Sequence, residues 1–500
     1  MKLAWIDAFL GEGRSAIEMK KLALIALFTL LACPVRATTY FIAPASIGGS
    51  DSNNGTSASA PWLTPNHPVN CGDVILAAAS GDYAPANFLY KWGTVTCPAR
   101  NNVAWLKCEI FDACKISGMA SGQAGMAVGT SYWGVQGWEI DGTSISGPCV
   151  LVYPMGSSPT TMHHVVFANN VLNGCGLAGF TFNPANKTAG VDYIAVVGNI
   201  VYNAAGGSSY CASGIEVYEP IASDSLTGTH IYIAGNFSYA NREPRLCSGK
   251  APGDGEGIEF DTWDGSQTGT PVYSYQGVID NNMLLSNGGP GAEVYGNSAG
   301  TAPHSNVFVR QNTVWGNNSD PNEVVPGFAV GEILTLSSVN VQVFNNIAET
   351  SASNGGASSR PIYAYWVSLG DGTDVDRQNL GFAVGGTIEG IYNSPGFQYD
   401  QSNIFGVNPS FANATEPSPP SCEGFTSVPT CMAAVIANFT PTATTARPYG
   451  YQKASTSQTY DPLFPRWLCN VNLPLGLVTM GCLSASSSLA PPTIISVVVR

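Results

Sequence analysis

An all-β chain wound as a parallel solenoid is what this sequence predicts, on three observations. A short phrase recurs between about Val165 and Asn408: VVFANNVLN, IAVVGNIVYN, IYIAGNFSYAN, GVIDNNMLLSN, VFVRQNTVWGN, VQVFNNIAE, VDRQNLGF and DQSNIFGVN. One asparagine aligns through all eight, namely Asn170, Asn199, Asn236, Asn282, Asn312, Asn346, Asn379 and Asn403, and successive differences of residue number are 29, 37, 46, 30, 34, 33 and 24. The residues before each Asn are Val/Ile/Tyr/Phe-rich with a period of two, and Gly or Asn pairs interrupt them before a helix could complete. Each interval fits one turn of three short strands, so consecutive turns stack as parallel strands about 4.8 Å apart. The aligned asparagines then form a ladder at an inner bend, a structural role.

Composition narrows the function classes. A formal net charge of −14 with only 11% charged residues excludes a nucleic-acid binder. A hydrophobic content of 44%, a tenth of the chain being aromatic, supplies a core and excludes disorder.

Taken in order, residues 1–37 read as a signal peptide: Lys20 and Lys21 precede the apolar run LALIALFTLLA, and VRA ends at Ala37 as a small-residue cleavage site. Met19 is an alternative start. The run is short for a membrane span. LLAC ending at Cys33 also fits a lipoprotein box, so the protein is expected to be secreted or periplasmic, or else lipid-anchored at the cell surface. Without Cys33 twelve cysteines remain, which points to disulfides. Cys108 with Cys114, Cys422 with Cys431 and Cys469 with Cys482 are the shortest loops to close. Zinc is disfavoured by the lack of C-x-x-C pairs and the scatter of five histidines.

Residues 38–102 should form the N-terminal cap and first turn, covering an otherwise open end. Within them SDSNNGTSASAP lacks the acidic alternation of a calcium loop and reads as structural turns. From 103 to 411 the solenoid proper runs, beginning with WLKCEIF, CKISGM and VQGWEIDG as strands. His163 and His164 are expected as exposed turn residues, and 353–375 as loop. Residues 412–500, rich in Pro, Ser, Thr and Ala with four cysteines, read as a disulfide-pinned wrap or cap, with a small separate domain as the alternative.

These phrases, with the opening YFIAPASIGGSDSNNGTSASAPW and CGDVILAAASGDY, resemble the right-handed parallel β-helix proteins of the pectin-lyase-like superfamily over residues 39–410. The resemblance implies a polysaccharide lyase-like fold that hosts lyases, hydrolases, epimerases and non-enzymatic adhesins alike. No adjacent-Asp pair, GHG or RIK of the polygalacturonases is present, and the arginine signature of the commonest pectate lyases is missing.

A second aligned phrase carries the candidate chemistry: SGIEVY at 213–218, EGIEFD at 256–261 and GAEVYG at 291–296. Alternation sends Ile215, Val217, Ile258, Phe260, Ala292 and Val294 inward, which turns Glu216, Glu259 and Glu293 outward in one column, with Tyr218, Asp261 and Tyr295 beside them. Carboxylates about 5 Å apart disfavour each other's ionisation. A divalent cation, Ca2+ for an all-oxygen donor set of Glu216, Glu259, Asp261 and Glu293, would compensate. A shared proton would serve equally and would supply an acid and base pair for glycoside hydrolysis, and a solvated, screened acidic face is the plain alternative.

The longest interval inserts NREPRLCSGKAPGDGEG, placing Arg242, Arg245 and Lys250 beside Asp254 and Glu256. In lyases of the superfamily a basic residue takes the proton α to a uronate carboxylate while a cation steadies the charge, a role that Arg242, Arg245 or Lys250 can fill here. A salt-bridged loop clipped by Cys211 and Cys247 is the structural alternative. Tyr218, Trp263, Tyr273, Tyr275, Tyr295 and Trp315 could stack on sugars where they face outward. The expected protein is thus a monomer acting on an acidic polysaccharide by Ca2+-assisted β-elimination, the alternatives being a hydrolase or epimerase using the same carboxylates, or a non-catalytic surface protein.

Overall fold

In the computed structural model, residues 37–473 are described apart from interruptions at 80, 99–101, 144–145, 158, 208–210, 244–253, 297–306, 321–329, 337, 352–361, 369–374, 385–390, 393–397, 400–401, 453–460, 462 and 472. The segment read as a signal peptide, with Met19 and Cys33, lies outside them but for its last residue. Among the described residues no helix is long and apolar enough to cross a membrane.

The backbone forms three long parallel sheets of twelve, eleven and nine strands. The first runs from Thr39–Ile42 to Gln398–Tyr399, the second from Gly81–Tyr83 to Ile404–Phe405 and the third from Met126–Val128 to Ile391–Tyr392. Each turn in the middle of the chain contributes one strand to each sheet, as in Val191–Val197, Ile200–Tyr202 and Ile215–Tyr218. This is the parallel β-helix that the repeat predicted. Inward side chains of all three sheets, among them Phe167, Phe180, Ile194, Val201, Ile215 and Phe260, make one continuous core.

The bend between the first and second sheets shows why each repeat carries its Asn. A residue in the left-handed region precedes it, whether Asn169, Gly198, Gly235, Asn281, Gln311, Asn345 or Gln378. That accounts for the NN, GN and QN pairs, since Gly and Asn tolerate this conformation best. Each Asn is then buried, and its amide is used twice. Asn199 Oδ1 accepts the backbone N–H of Asn170 and its Nδ2, both at 2.9 Å, while Asn199 Nδ2 donates to Phe167 O at 3.0 Å and to Asn236 Oδ1 at 3.0 Å. The pattern repeats through Asn282, Asn312 and Asn346 to Asn379, whose backbone N–H reaches Asn403 Oδ1 at 2.8 Å.

The opening turns follow the same logic. Asp51 Oδ1 accepts the N–H groups of Leu63 and Thr64 at 3.0 and 2.9 Å, so the SDSNNG run is a turn held by its own carboxylate. Disulfides join Cys71 to Cys97, Cys108 to Cys114, Cys149 to Cys175 and Cys422 to Cys431. Cys211 and Cys469 are also disulfide-bonded. Cys247 and Cys482, their proposed partners, lie outside the described residues.

Two expectations need correction. His163 and His164 are not exposed turn residues: both belong to strand Met162–Ala168, and His164 is 3% exposed. A positive φ at His164 and Tyr193 interrupts the pairing of two strands inside the first sheet, and their rings stack at 4.4 Å with His230 beyond at 3.9 Å. The region 353–375 is not all loop, because Ile362–Ser368 is a strand of the third sheet. Its IYAYWVS has the β-branched and aromatic character of the other strands.

The described part of the tail runs back along the sides of the helix. Val428, Met432 and Phe439 cover Ile200, Phe237 and Met283 on the outside of the second sheet. Phe464, Trp467 and Leu468 cover Val166, Tyr193 and Tyr232 on the outside of the first. Buried polar bonds fix the tail in place, with Val428 N donating to Asn169 Oδ1 at 2.7 Å and Arg310 bridging Asp280 and Asp461. Neither apolar cluster includes a residue of the third sheet.

Asn282→Ala removes the acceptor of two Asn236 donors and the donor to Ile233 O. It should lower unfolding free energy by about 2–4 kcal/mol, the cost of leaving buried donors unpaired, as read from urea denaturation. An unchanged midpoint would remove the ladder from its structural role.

Candidate active site on the third sheet

The third sheet owes its outer face to a second asparagine ladder. Asn241 Nδ2 donates to Asn287 Oδ1 at 2.9 Å, Asn287 Nδ2 to Asn317 Oδ1 at 2.8 Å, and Asn317 Nδ2 to Glu332 Oε2 at 2.7 Å. These rungs follow Asn236, Asn282 and Asn312 at a constant offset of five residues. Sequence reasoning missed them, although the phrases NFSYAN, NNMLLSN and NTVWGN each end on one. The ladder presses against the residue that opens each strand of the third sheet. A Cβ on Gly214, Gly257 or Gly291 would stand 2.6, 2.8 or 2.9 Å from the Nδ2 of Asn241, Asn287 or Asn317, so these positions require glycine.

From those glycines the alternation is fixed. Ile215, Ile258 and Ala292 go into the core, and Glu216, Glu259 and Glu293 stand opposite one another on adjacent strands. Tyr218, Asp261 and Tyr295 form the neighbouring column. The glutamates face outward, yet Glu259 and Glu293 are only 8% and 7% exposed and Glu216 is half-buried, so the column is not a fully solvated acidic face.

The loop before strand Ile258–Asp261 adds two further carboxylates. Asp254, Glu256 and Glu259 each place one oxygen within 4.8 Å of the others. Ser213 Oγ lies 2.8 Å from Glu256 Oε2 and 2.6 Å from Glu259 Oε2. A hydroxyl has one proton to give, so with no cation bound the second contact needs a protonated carboxyl donating to Ser213. Of the four ligands expected from the sequence, Glu259 belongs to this trio. Glu216 Oε2 accepts Thr181 Oγ at 3.2 Å, and Asp261 accepts Thr262 Oγ at 2.5 Å.

Electrostatics agree with a proton-holding cluster. Burial, then the Asp254 charge, pushes Glu259 up to about 8 against the opposing Ser213 hydrogen bond. Burial followed by the charge of Glu259 raises Glu216, Glu256, Glu293 and Asp261 well above the usual carboxylate range. Among the described residues no Lys, Arg or His nitrogen pairs with Glu216, Glu256, Glu259 or Glu293.

The basic roster is placed differently from the carboxylates. Arg242 turns to the tail, pairing with Glu416 and donating to Ser319 Oγ at 3.1 Å. Arg245 and Lys250 lie outside the described residues. Of the aromatic candidates, Trp263 and Tyr273 are core residues and Trp315 packs under Phe439, while Tyr275 stacks on His230. Tyr218 and Tyr295 remain on the site face, half-buried, and Tyr218 OH reaches Gln267 Oε1 at 3.3 Å. Gln267 belongs to a loop tied down where Glu219 Oε1 accepts the Gln267 and Thr268 N–H groups at 3.0 and 2.9 Å.

No protein-family model matches the chain, and no curated protein does. Among solved structures the chain is similar to an alginate lyase from Paenibacillus sp. str. FPU-7, at 13% identity and a TM-score of 0.37 over 74% of this chain and 98% of that one. It is also similar to the GH136 lacto-N-biosidase from Eubacterium ramulus, at 12% identity and 0.34 over 78% and 71%. A PL6 family polysaccharide lyase from Pseudopedobacter saltans follows at 12% and 0.28, over 73% and 91%. Values this low transfer no residue role.

Because Glu216 is raised in the folded state, its contribution to stability is present below the unfolded carboxylate pKa and is lost as pH climbs through its folded value. Glu216→Gln keeps an acceptor for Thr181 and carries no charge. In chelator it should therefore be more stable than wild type at pH 8 and indistinguishable at pH 4, by thermal denaturation; equal stability at both would mean that the column carries no strain.

Proposed function

We propose that this chain is a polysaccharide-acting β-helix protein whose third sheet holds Ca2+ at Asp254, Glu256 and Glu259 and that it cleaves an acidic polysaccharide by β-elimination. The convergence of three carboxylate oxygens within 4.8 Å carries the reading. Calcium binds oxygens at 2.3–2.6 Å, so ligands around one ion stand at most about 5 Å apart, and the trio fits that sphere. When bound, the ion would offset two of the cluster's negative charges and offer a ligand position to a uronate carboxylate.

The chain's own residues supply the rest. Without compensation the Glu216, Glu259 and Glu293 column repels a polyanion, so a cation is a condition for substrate approach. Ser213 orients Glu256 and Glu259, fixing the donor set in place. Tyr218 and Tyr295 flank Asp261 and offer rings and hydroxyls to a sugar. Proton abstraction falls to Arg245 or Lys250 on the 242–256 loop, since the Arg242 guanidinium is bound to the tail.

One observation favours a second reading. Ser213 between two carboxyls requires a proton in the ion-free cluster, and Glu259 at about 8 keeps one at neutral pH. Glu216, Glu259 and Glu293 stand on neighbouring strands, and a proton held by one of them while a neighbour ionises is the acid and base pair that glycoside hydrolysis uses.

Incubation with a panel of polyuronates, in Ca2+ or in chelator, should give ultraviolet absorbance of unsaturated products only with Ca2+. Glu259→Gln should lower that rate by about 10²-fold or more, the scale of a lost charged group at a site, with the fold intact. Reducing ends without absorbance would establish the hydrolase instead. Neither signal would leave a binding protein, and full activity in the variant would move the site elsewhere.

A further inference from the structure

We propose that Tyr90 and Tyr153 form a sugar-stacking subsite at the first strands of the third sheet, gripping a polysaccharide chain that lies along the helix axis and reaches the carboxylates further on; it rests on the reading of this face as carbohydrate-acting. The column that holds Tyr218, Asp261 and Tyr295 continues toward the start of the chain. Asn183 N donates to Val152 O at 3.1 Å and Tyr153 N to Val128 O at 3.2 Å. Gly129, Tyr153 and Asn183 therefore follow in register as the next positions after the core residues Val128, Val152 and Phe182. Thr181 Oγ lies 3.0 Å from Asn183 Oδ1 and 3.2 Å from Glu216 Oε2, which puts Asn183 on the face of the glutamate.

Tyr90 joins this column from a loop. Its N–H donates to Ala127 O at 2.9 Å, and its ring lies against Gly129, where a Cβ would stand 3.3 Å from Tyr90 Cδ1 and 3.1 Å from Met155 Cγ. Gly129 is the one member of the column without a side chain, and the tyrosine and methionine take the space over it. Tyr90 is 39% and Met155 47% exposed, so they present apolar surface to solvent beside a half-buried Tyr153. Neither apolar cluster of the tail includes them. Tyr90 also holds a φ of 57°, which a bulky residue adopts at a cost.

Charge divides the face along its length. Ala127, Leu151 and Thr181 lead one column and Gly129, Tyr153 and Asn183 the other, all uncharged, before Glu216, Glu259, Asp261 and Glu293 follow on the next three strands. Exposed rings beside an amide suit the apolar face and the hydroxyls of a sugar ring and make no demand on its charge. From Tyr153 to Glu259 is three strand steps, about 14 Å at about 4.8 Å each. Only a chain of several sugars touches both.

Native electrophoresis of the full chain through gels containing a soluble polyuronate and Ca2+ tests this, with folding checked by circular dichroism and mass by sedimentation. Tyr90→Ala should weaken retardation, and the double variant with Tyr153→Ala should weaken it by about 10-fold for two lost rings, while Tyr90→Phe keeps its ring and should match wild type. On long chains the double variant should raise KM with kcat unchanged; on oligomers too short to span both places it should equal wild type. Undiminished retardation in both alanine variants would overturn the subsite while leaving the carboxylate site standing. Wild type that runs unretarded would remove the subsite and the polysaccharide reading together. A wild-type dimer that becomes monomeric with Tyr90→Ala would give the patch to a second copy of the chain and overturn the subsite as well.

Discussion

Turn-to-turn bonding of buried asparagine amides is the constraint on which the rest of the molecule depends. Each rung satisfies the backbone N–H of the Asn in the turn before it, so the sequence offset between turns cannot drift by a single residue. Such a slip in a strand would exchange its core and solvent faces. Loops between rungs can therefore vary in length, as the interval of 46 residues between Asn236 and Asn282 does, without disturbing register. The scaffold is rigid where it must be and permissive where loops leave it.

That rigidity lets the third sheet hold what a softer fold would shed. Two unit charges about 5 Å apart at an effective dielectric near 20 repel by roughly 3 kcal/mol. Against that stand two ladders whose rungs are fully buried, each contributing on the order of 1 kcal/mol per hydrogen bond, together with a core running the length of the helix. The ladders win on number, and the glutamate column is kept in register at a cost. Glu332 shows the same trade at smaller scale. It occupies the place that Gly291 holds one turn earlier, ends the second ladder by accepting from Asn317, and burial pushes it up to about 8.

The fold was legible because its determinants are periodic. Eight aligned asparagines and β-branched alternation point to turns, register and the outward direction of Glu216, Glu259 and Glu293, and the strand pairing agrees. What was not legible depends on distance through space and not along the chain. The depth of Glu259 depends on the loops around it. The convergence of Asp254 and Glu256 on Glu259 depends on a loop whose path no period sets. His164 was misjudged because a local bulge, invisible to alternation, turns its ring into a stack beneath Trp467. The second ladder is a different case: its five-residue offset lay within the aligned phrases, and a search for a second conserved spacing in them would have found it.

The tail supplies an argument about the site that does not rely on charge. Outward positions on the first two sheets are apolar, with Tyr193, Tyr232, Phe237 and Met283 among them, and the chain returns to cover both with Phe464, Trp467, Val428 and Phe439. Outward positions on the middle of the third sheet are Thr181, Glu216, Glu259 and Glu293, which present nothing for an apolar segment to bury. The tail does reach the margin of this face, where Glu416 takes Arg242. The Arg242 guanidinium is thereby engaged by the tail and by Ser319. Compensation for Glu243, Glu256, Glu259 and Glu293 is therefore left, among the described residues, to protons or to an ion from solution, and that dependence makes this face responsive to what surrounds the protein.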